Sequence, residues 1–304
     1  MHAGKGAANA ARPARLAIGI VSAGRVGSVL GAALAAAGHQ VVATSGVSRA
    51  SIRRAEQLLP GVPLRAPDEV VSGVDLVLLA VPDDVLPGLV TGLARADCFR
   101  TGQIVLHTSG AHGVGVLAPA AEHGTLPLAL HPVMTFTGRA EDVQRLGTCS
   151  VGVTATEGDE VAWSVGEALV VEMGAEPIRV PEAVRPLYHA ALAHGANHLI
   201  TLVRDSVDIL ERAGITPAER LIAPLLSAAL DNALRHGDRA LTGPVARGDT
   251  GTLRKHLREL AEHAPEVTSS YRALAERTAE RAQQAGLLPG HAAHDVQATL
   301  EDTR

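Results

Sequence analysis

The sequence predicts an α/β domain built on a doubly wound parallel sheet, followed by an all-helical domain. Three observations predict it. From Leu16 the chain alternates short apolar runs with amphipathic stretches, the pattern of parallel strands buried on both faces and joined by crossover helices. The first run ends in a glycine-bearing turn, SAGRVG at residues 22–27, that leads directly into a helical stripe. After residue 182 the strand pattern stops, and alanine-rich and leucine-rich helical periodicity replaces it.

Taken in order, LAIGIV, QVVATS, DLVLLAVP, QIVLHTSG and PLALHPVM read as strands. Between the first two, residues 25–37 place Val26, Val29, Leu30, Ala33 and Leu34 on one helical stripe, and Gly38 stops it. TCSVGVTA, a helical stretch over 157–173 and EPIRVP add a strand, a helix and a last strand. The first domain therefore spans residues 15–182 and the helical domain residues 183–288. Residues 1–14 and 289–304 show little periodicity and are expected to be tails.

Composition narrows the function. With 304 residues the chain holds two domains of ordinary size. A net charge of −5, with arginines and acids interspersed, gives no basic face for nucleic acid or anionic lipid. No apolar run reaches the roughly 20 residues of a membrane-spanning helix. Basic residues near the amino end are followed by only six apolar or glycine residues before Ser22, too few for a signal-peptide core. The two cysteines, Cys98 and Cys149, lack motif spacing, as suits a reduced compartment. The expected location is the cytoplasm.

In a G-x-G-x-x-G turn the first glycine permits a tight bend, the second lets the backbone approach a pyrophosphate, and the third lets helix pack on strand. Here those positions are Ser22, Gly24 and Gly27. Serine is expected to make the bend with an ordinary backbone conformation. Residues Ser22, Ala23, Gly24, Arg25, Val26 and Gly27 are thus assigned to a dinucleotide. An NAD site usually carries an acid about 20 residues on to hold the ribose hydroxyls, yet no Asp or Glu precedes Glu56. Ser45, Ser48 and Arg49 stand there instead, and Arg49 is assigned to a 2′-phosphate, since a guanidinium pairs with phosphate through two hydrogen bonds. NADP (NADPH) is favoured over NAD. Arg53 and Arg54 read as solvated surface charges.

Other candidates lie at the carboxyl ends of the strands, where an open parallel sheet presents its ligand-facing loops. Val81 and Pro82 are assigned to the cofactor, as is Ser109, with His107 and Thr108 beside it and Thr108 assigned to substrate. His131 ends the next strand. In the helical part His189, Ala193 and Asn197 share a face. His194 and His198 have zinc-compatible spacing but no third ligand, so no metal is expected. Asp249 or Thr250 reads as a helix cap, while Thr242 and Arg247 are assigned to an anionic substrate.

Together GIVSAGRVG, LLAVPDD, HTSGA, LHPVMTF, LYHAALAHGANHL and LTGPVARGD, covering residues 16–280, resemble the Rossmann-like oxidoreductases whose helical half is a domain of unknown function. More distantly the layout is similar to 6-phosphogluconate dehydrogenase-like, pyrroline-5-carboxylate reductase-like and ketopantoate reductase-like enzymes. The resemblance implies a nicotinamide domain, a helical domain that dimerises, and a substrate held in the cleft between them. Several such enzymes use a lysine and an asparagine one helical turn apart; Asn197 matches the asparagine, and Ala193 stands where the lysine would be.

The expected activity is therefore NADP-dependent oxidation or reduction of a small carbonyl, imine or hydroxy acid by a homodimer, with a non-catalytic NADP-binding sensor as the alternative. Lys5 falls in the expected tail and Lys255 among solvated neighbours, so histidine replaces lysine as proton donor. His189 is assigned as acid with Asn197 orienting the substrate, and His131 as its alternative.

Overall fold

A computed structural model describes residues 15–302. The expected tail at residues 1–14 lies outside the described residues. The described residues divide into two compact units, with the boundary between His194 and Gly195.

The first unit is a seven-stranded sheet in the order β2-β1-β3-β4-β5-β6-β7. Its strands are β1 (Ala17–Val21), β2 (Gln40–Thr44), β3 (Leu76–Leu79), β4 (Ile104–His107), β5 (Leu126–Pro132), β6 (Ser150–Ala155) and β7 (Glu176–Arg179). Helices α1 (Arg25–Ala36), α2 (Arg49–Leu58), α3 (Pro67–Val71), α4 (Leu86–Arg95), α5 (Ala118–Ala121), α6 (Ala140–Leu146) and α7 (Glu160–Glu172) connect them. The apolar runs are continuous because both faces are covered. Leu76 and Leu78 enter the core with Ile18, Ile20, Leu30 and Leu130, while their neighbours Val77 and Leu79 enter the opposite core with Val21, Val90 and Leu117.

Two strands depart from the parallel expectation: β6 runs antiparallel to β5, and β7, parallel to β6, shares its reversed direction. The connection over residues 133–149 stays at the carboxyl end of β5, where Val133 N–H donates to the Ser150 carbonyl. Burial periodicity is the same in either chain direction, so the pattern of β6 carried no sign of this. The order β2-β1-β3 puts the point where the winding reverses at the carboxyl ends of β1 and β3, the place where such sheets bind ligands.

Helix α8 (Arg185–Arg212) follows, with its first turns in the sheet-bearing unit. The second unit continues with α9 (Ala218–His236), α10 (Gly243–Ala246), α11 (Thr250–His263), α12 (Pro265–Gln284) and α13 (Gly290–Asp302). Its core joins Val245, Leu253, Leu257, Ala279, Val296 and Leu300. The expected tail at 289–304 is corrected here. Residues 290–302 form α13, which packs on α11 and α12. Its apolar stripe is too sparse, with two histidines in its first turns, to be read without those partners. No described helix is long and apolar enough to cross a membrane.

Candidate functional site

The turn after β1 is built around Ser22. Its φ is +79°, a correction to the ordinary backbone expected of it: serine keeps the left-handed bend of a glycine. For a residue with a Cβ that conformation costs about 1–2 kcal/mol. Two hydrogen bonds from the turn to the end of β2 help hold the bend, Ser22 N–H to Ser45 Oγ at 2.9 Å and Ala23 N–H to the Ser45 carbonyl at 2.6 Å. Ser45, assigned to the cofactor from sequence, is buried and fastens this turn. The Ala23 side chain is likewise buried.

The two glycines differ in what they are for. A Cβ on Gly27 would lie 2.2 Å from the Ser22 carbonyl oxygen and 3.0 Å from the Ala80 Cβ, so close packing of α1 on the strands requires glycine there. A Cβ on Gly24 would meet nothing nearer than Ser22 Oγ at 3.4 Å. Protein packing makes no demand at Gly24, and its open face is free for a ligand. Gly24 caps α1 with no side-chain hydrogen bond, and the first turn of α1 carries no acid. An amino terminus of that kind favours an anion.

Basic side chains surround this end. Arg25 and Arg54 both reach Gly138, whose Cβ would lie 3.0 Å from Arg25 Cγ and 2.7 Å from Arg54 Nε. Asp142 holds that loop by accepting from Thr137 N–H at 2.7 Å and Gly138 N–H at 2.8 Å. Arg54, read from sequence as a surface charge, is half-buried here. Arg49 is exposed at the first position of α2, and Ser48 caps that helix through a capping box with Ser51. Val26 packs against the core, and Val81 and the exposed Pro82 follow β3.

The loop after β4 turns inward. His107 is fully buried, with Nε2 2.9 Å from the Gly113 carbonyl and Nδ1 accepting from Ser109 N–H at 3.2 Å. Burial of the ring lowers its pKa to about 4, with smaller contributions from the charges of Arg185 and His112. Ser109 Oγ accepts from the Ala111 and His112 N–H groups, shaping the turn. Thr108 stays partly exposed.

Beyond it three side chains meet. His131, ending β5, has Nδ1 2.8 Å from Tyr188 Oη on α8, and its ring meets that of His189 edge-on with centroids 6.1 Å apart. Gly110 faces both histidines: a Cβ there would lie 2.8 Å from His131 Nε2 and 2.6 Å from His189 Cδ2. Burial, then the charge of Arg185, lowers the His131 pKa to about 4. Burial raises that of Tyr188, against an opposing pull from Arg185. At neutral pH both groups of the pair are uncharged. Whichever of the two donates the bond between them, one proton remains to offer, at His131 Nε2 or at Tyr188 Oη.

His131 and His189, proposed from sequence, are thus neighbours, and the sequence reading missed Tyr188 and Arg185. The signal for Tyr188 was its rarity, one of two tyrosines in the chain. Arg185 gave none, since arginine beside proline reads as surface. In the helical unit Asn197, Thr242 and Arg247 are exposed. Asp249 caps α11, accepting from Thr252 N–H at 3.0 Å.

A strand–turn–helix with an uncapped helix end, at the reversal point of a mostly parallel sheet, defines a Rossmann-like protein. Residues 2–132 match the Rossmann-like domain family, and residues 152–278 match a domain of unknown function, DUF2520. The chain thus joins a Rossmann-like domain to a DUF2520 domain. Among solved structures it is similar to a candidate NADP oxidoreductase from Bacteroides fragilis, with 18% identity over 87% of this chain and 98% of that one and a TM-score of 0.69. It is also similar to an imine reductase from Myxococcus stipitatus in complex with NADP+, at 17% identity over 87% and 94% and a TM-score of 0.61. A pyrroline carboxylate reductase from Plasmodium falciparum with NADP bound aligns at 11% identity over 95% and 97%, with a TM-score of 0.56. What the chain shares with these three is the fold. A search of curated proteins gave no match.

Proposed function

We propose that the chain is an NADP-dependent oxidoreductase that acts on a small carbonyl, imine or hydroxy acid. One observation carries the reading. The open face of Gly24, at the end of α1 that has no side-chain cap, and the His131–Tyr188 pair both lie at the carboxyl ends of the parallel strands of one sheet. The names of the similar structures, an imine reductase and a pyrroline carboxylate reductase, favour an imine within that range.

The residues present fit a phosphorylated dinucleotide. Gly24 leaves room for a pyrophosphate, Arg25 and Arg54 flank it, and Arg49 offers a fork to a 2′-phosphate at a position without an acid. Bound there, the cofactor supplies the hydride. The chain supplies the proton. With its pKa at about 4, His131 is an imidazolium in only about one molecule in a thousand at pH 7. Direct donation from imidazolium, the role given to histidine by sequence, is therefore disfavoured at His131. The Tyr188 phenol keeps its proton at that pH, and the His131–Tyr188 pair, neutral at rest, passes one proton to the substrate nitrogen or oxygen and is left as a phenolate until water reprotonates it. His189, packed on His131, lines the same place.

A homodimer through the helical unit is part of the proposal. It is supported by α9, in which Ala218 alone is buried while Leu221, Leu225, Leu230 and Leu234 are exposed. The free cysteines suit the cytoplasm.

The test is NADPH oxidation against a panel of cyclic imines and keto acids. We expect turnover with at least one imine. Tyr188→Phe and His131→Gln should each lower kcat by about 100-fold with NADPH affinity unchanged. Tight NADPH binding with no turnover across the panel would replace this reading with that of an NADP-binding sensor.

A further inference from the structure

Arg185 is fully buried at the first turn of α8, and its partners are unusual for an arginine. Nε donates to Thr154 Oγ1 at 2.8 Å. One terminal nitrogen donates to the carbonyls of Ser109 at 2.6 Å and His112 at 2.9 Å, and the other to that of Gly152 at 3.2 Å. These partners come from the loop after β4 and from β6. None is a carboxylate. The guanidinium stands 5.9 Å from the centre of the Tyr188 ring.

As a plain structural bolt this is an expensive choice. Burying a charge with no carboxylate bonded to it is costly, and a well-packed apolar side chain in such a place is often neutral or stabilising. Carbonyl dipoles and the Thr154 hydroxyl take up the guanidinium's donors, while the acids Glu182 and Asp83 act on its charge only from a distance, so that burial still lowers its pKa. That charge lies in the same buried region as both imidazoles at this end of the sheet.

We propose that Arg185 is a positioning residue for the His131–Tyr188 pair, pinning the loop after β4 to β6 and standing a fixed positive charge behind His131. Three consequences follow. The loop carries Gly110, which faces His131 and His189, so the pin sets the distance across which a ligand would be held. The residue sits one helical turn before Tyr188, so the same bonds fix where the phenol meets His131. The charge opposes protonation of His131, keeping the pair in its neutral, proton-relaying form.

The groups that face His131 are Tyr188 and His189 from α8, Arg185, and Asp83 from the turn after β3. Burial is the largest influence on its pKa, Arg185 and His189 act in the same direction, and Asp83 opposes them. Removing the Arg185 charge should therefore raise the His131 pKa, while burial keeps it below the ordinary imidazole value.

The inference rests on the reading of His131 and Tyr188 as the proton-handling pair, but its test uses no substrate. Histidine-resolved NMR titration and amide hydrogen exchange are measured on the full chain as wild type, Arg185→Lys and Arg185→Met. In wild type His131 should titrate near 4. Arg185→Met should raise that midpoint by about one unit. Arg185→Lys, which keeps the charge but loses the planar fork, should leave the midpoint in place while exchange at residues 109–113 speeds up by about tenfold or more. An unchanged midpoint in Arg185→Met, or unchanged exchange in Arg185→Lys, overturns the proposal. Should the methionine variant not fold, wild-type His131 titrating near 6.5 overturns it equally. Failure of these measurements leaves the oxidoreductase reading standing, and failure of the imine panel leaves these measurements standing.

Discussion

Replacing Gly24 and Gly27 separately by alanine should separate binding from folding within a single turn. At Gly27 the new Cβ would lie 2.2 Å from the Ser22 carbonyl oxygen and 3.0 Å from the Ala80 Cβ. Neither is the far end of a flexible side chain, so α1 must move away from the strands. Overpacking of this kind costs about 1–3 kcal/mol, of which the lower unfolded-chain entropy of alanine returns about 0.4–1 kcal/mol. At about 2–4 °C per kcal/mol for a unit of this size, Tm should fall by several degrees. At Gly24 the backbone is already extended, with φ −68° and ψ −170°, and the methyl finds its nearest neighbour at 3.4 Å. Gly24→Ala should fold with unchanged or slightly raised Tm. The same methyl occupies the face left open to a pyrophosphate, so NADPH should bind at least about tenfold more weakly, or 1.4 kcal/mol. Fluorescence titration with NADPH alongside thermal melts reads both quantities. Gly24→Ala that binds NADPH as wild type does would refute the placement of the pyrophosphate.

Three further outcomes are expected. Arg49→Ala should weaken NADPH by about one to two decades, the value of a charged pair with phosphate, and leave NADH almost unchanged; equal affinity of wild type for the two cofactors would sink the 2′-phosphate assignment. His107 and His131 both titrate near 4 in the fold against an ordinary 6.5, so the unfolded chain takes up protons first, and the stability these rings confer is whole above pH 6.5 and lost as pH falls from 6.5 to 4. Urea unfolding should show a loss of roughly a few kcal/mol across that window, and a flat profile from pH 7 to 4.5 would count against neutral burial of both rings. Light scattering should return a dimer, and Leu225→Glu with Leu234→Glu, at side chains 68% and 80% exposed on α9, should return a monomer of unchanged helicity; a wild-type monomer at micromolar concentration would remove the dimer from the proposal.

The sequence by itself determined the strands and the turn. Runs such as LVLL are apolar without alternation because helices cover both faces of the sheet, and that demand is written residue by residue. Gly24 and Gly27 were legible because a glycine at fixed spacing between strand and helix has few other uses. The same local signals placed His131 and Ser109 at strand ends, without saying that Ser109 would turn inward to shape its own loop.

Only the tertiary structure decided the rest, for the reason that each depends on a partner distant in sequence. Ser22 adopts φ +79°, in a turn tied to Ser45 just past the end of β2. The direction of β6 is fixed by where the β5 connection returns, and α13 exists as a packed helix because α11 and α12 give its sparse apolar stripe something to cover. Arg54 reads as a surface charge until Gly138 is brought against it. Arg185 reads the same way until carbonyls from the β4 loop and β6 converge on it, and Tyr188 has no evident role until His131 arrives from 57 residues away. Burial of a charge, and with it the pKa of its neighbours, is a property of the surroundings that folding assembles, and no stretch of chain carries it alone.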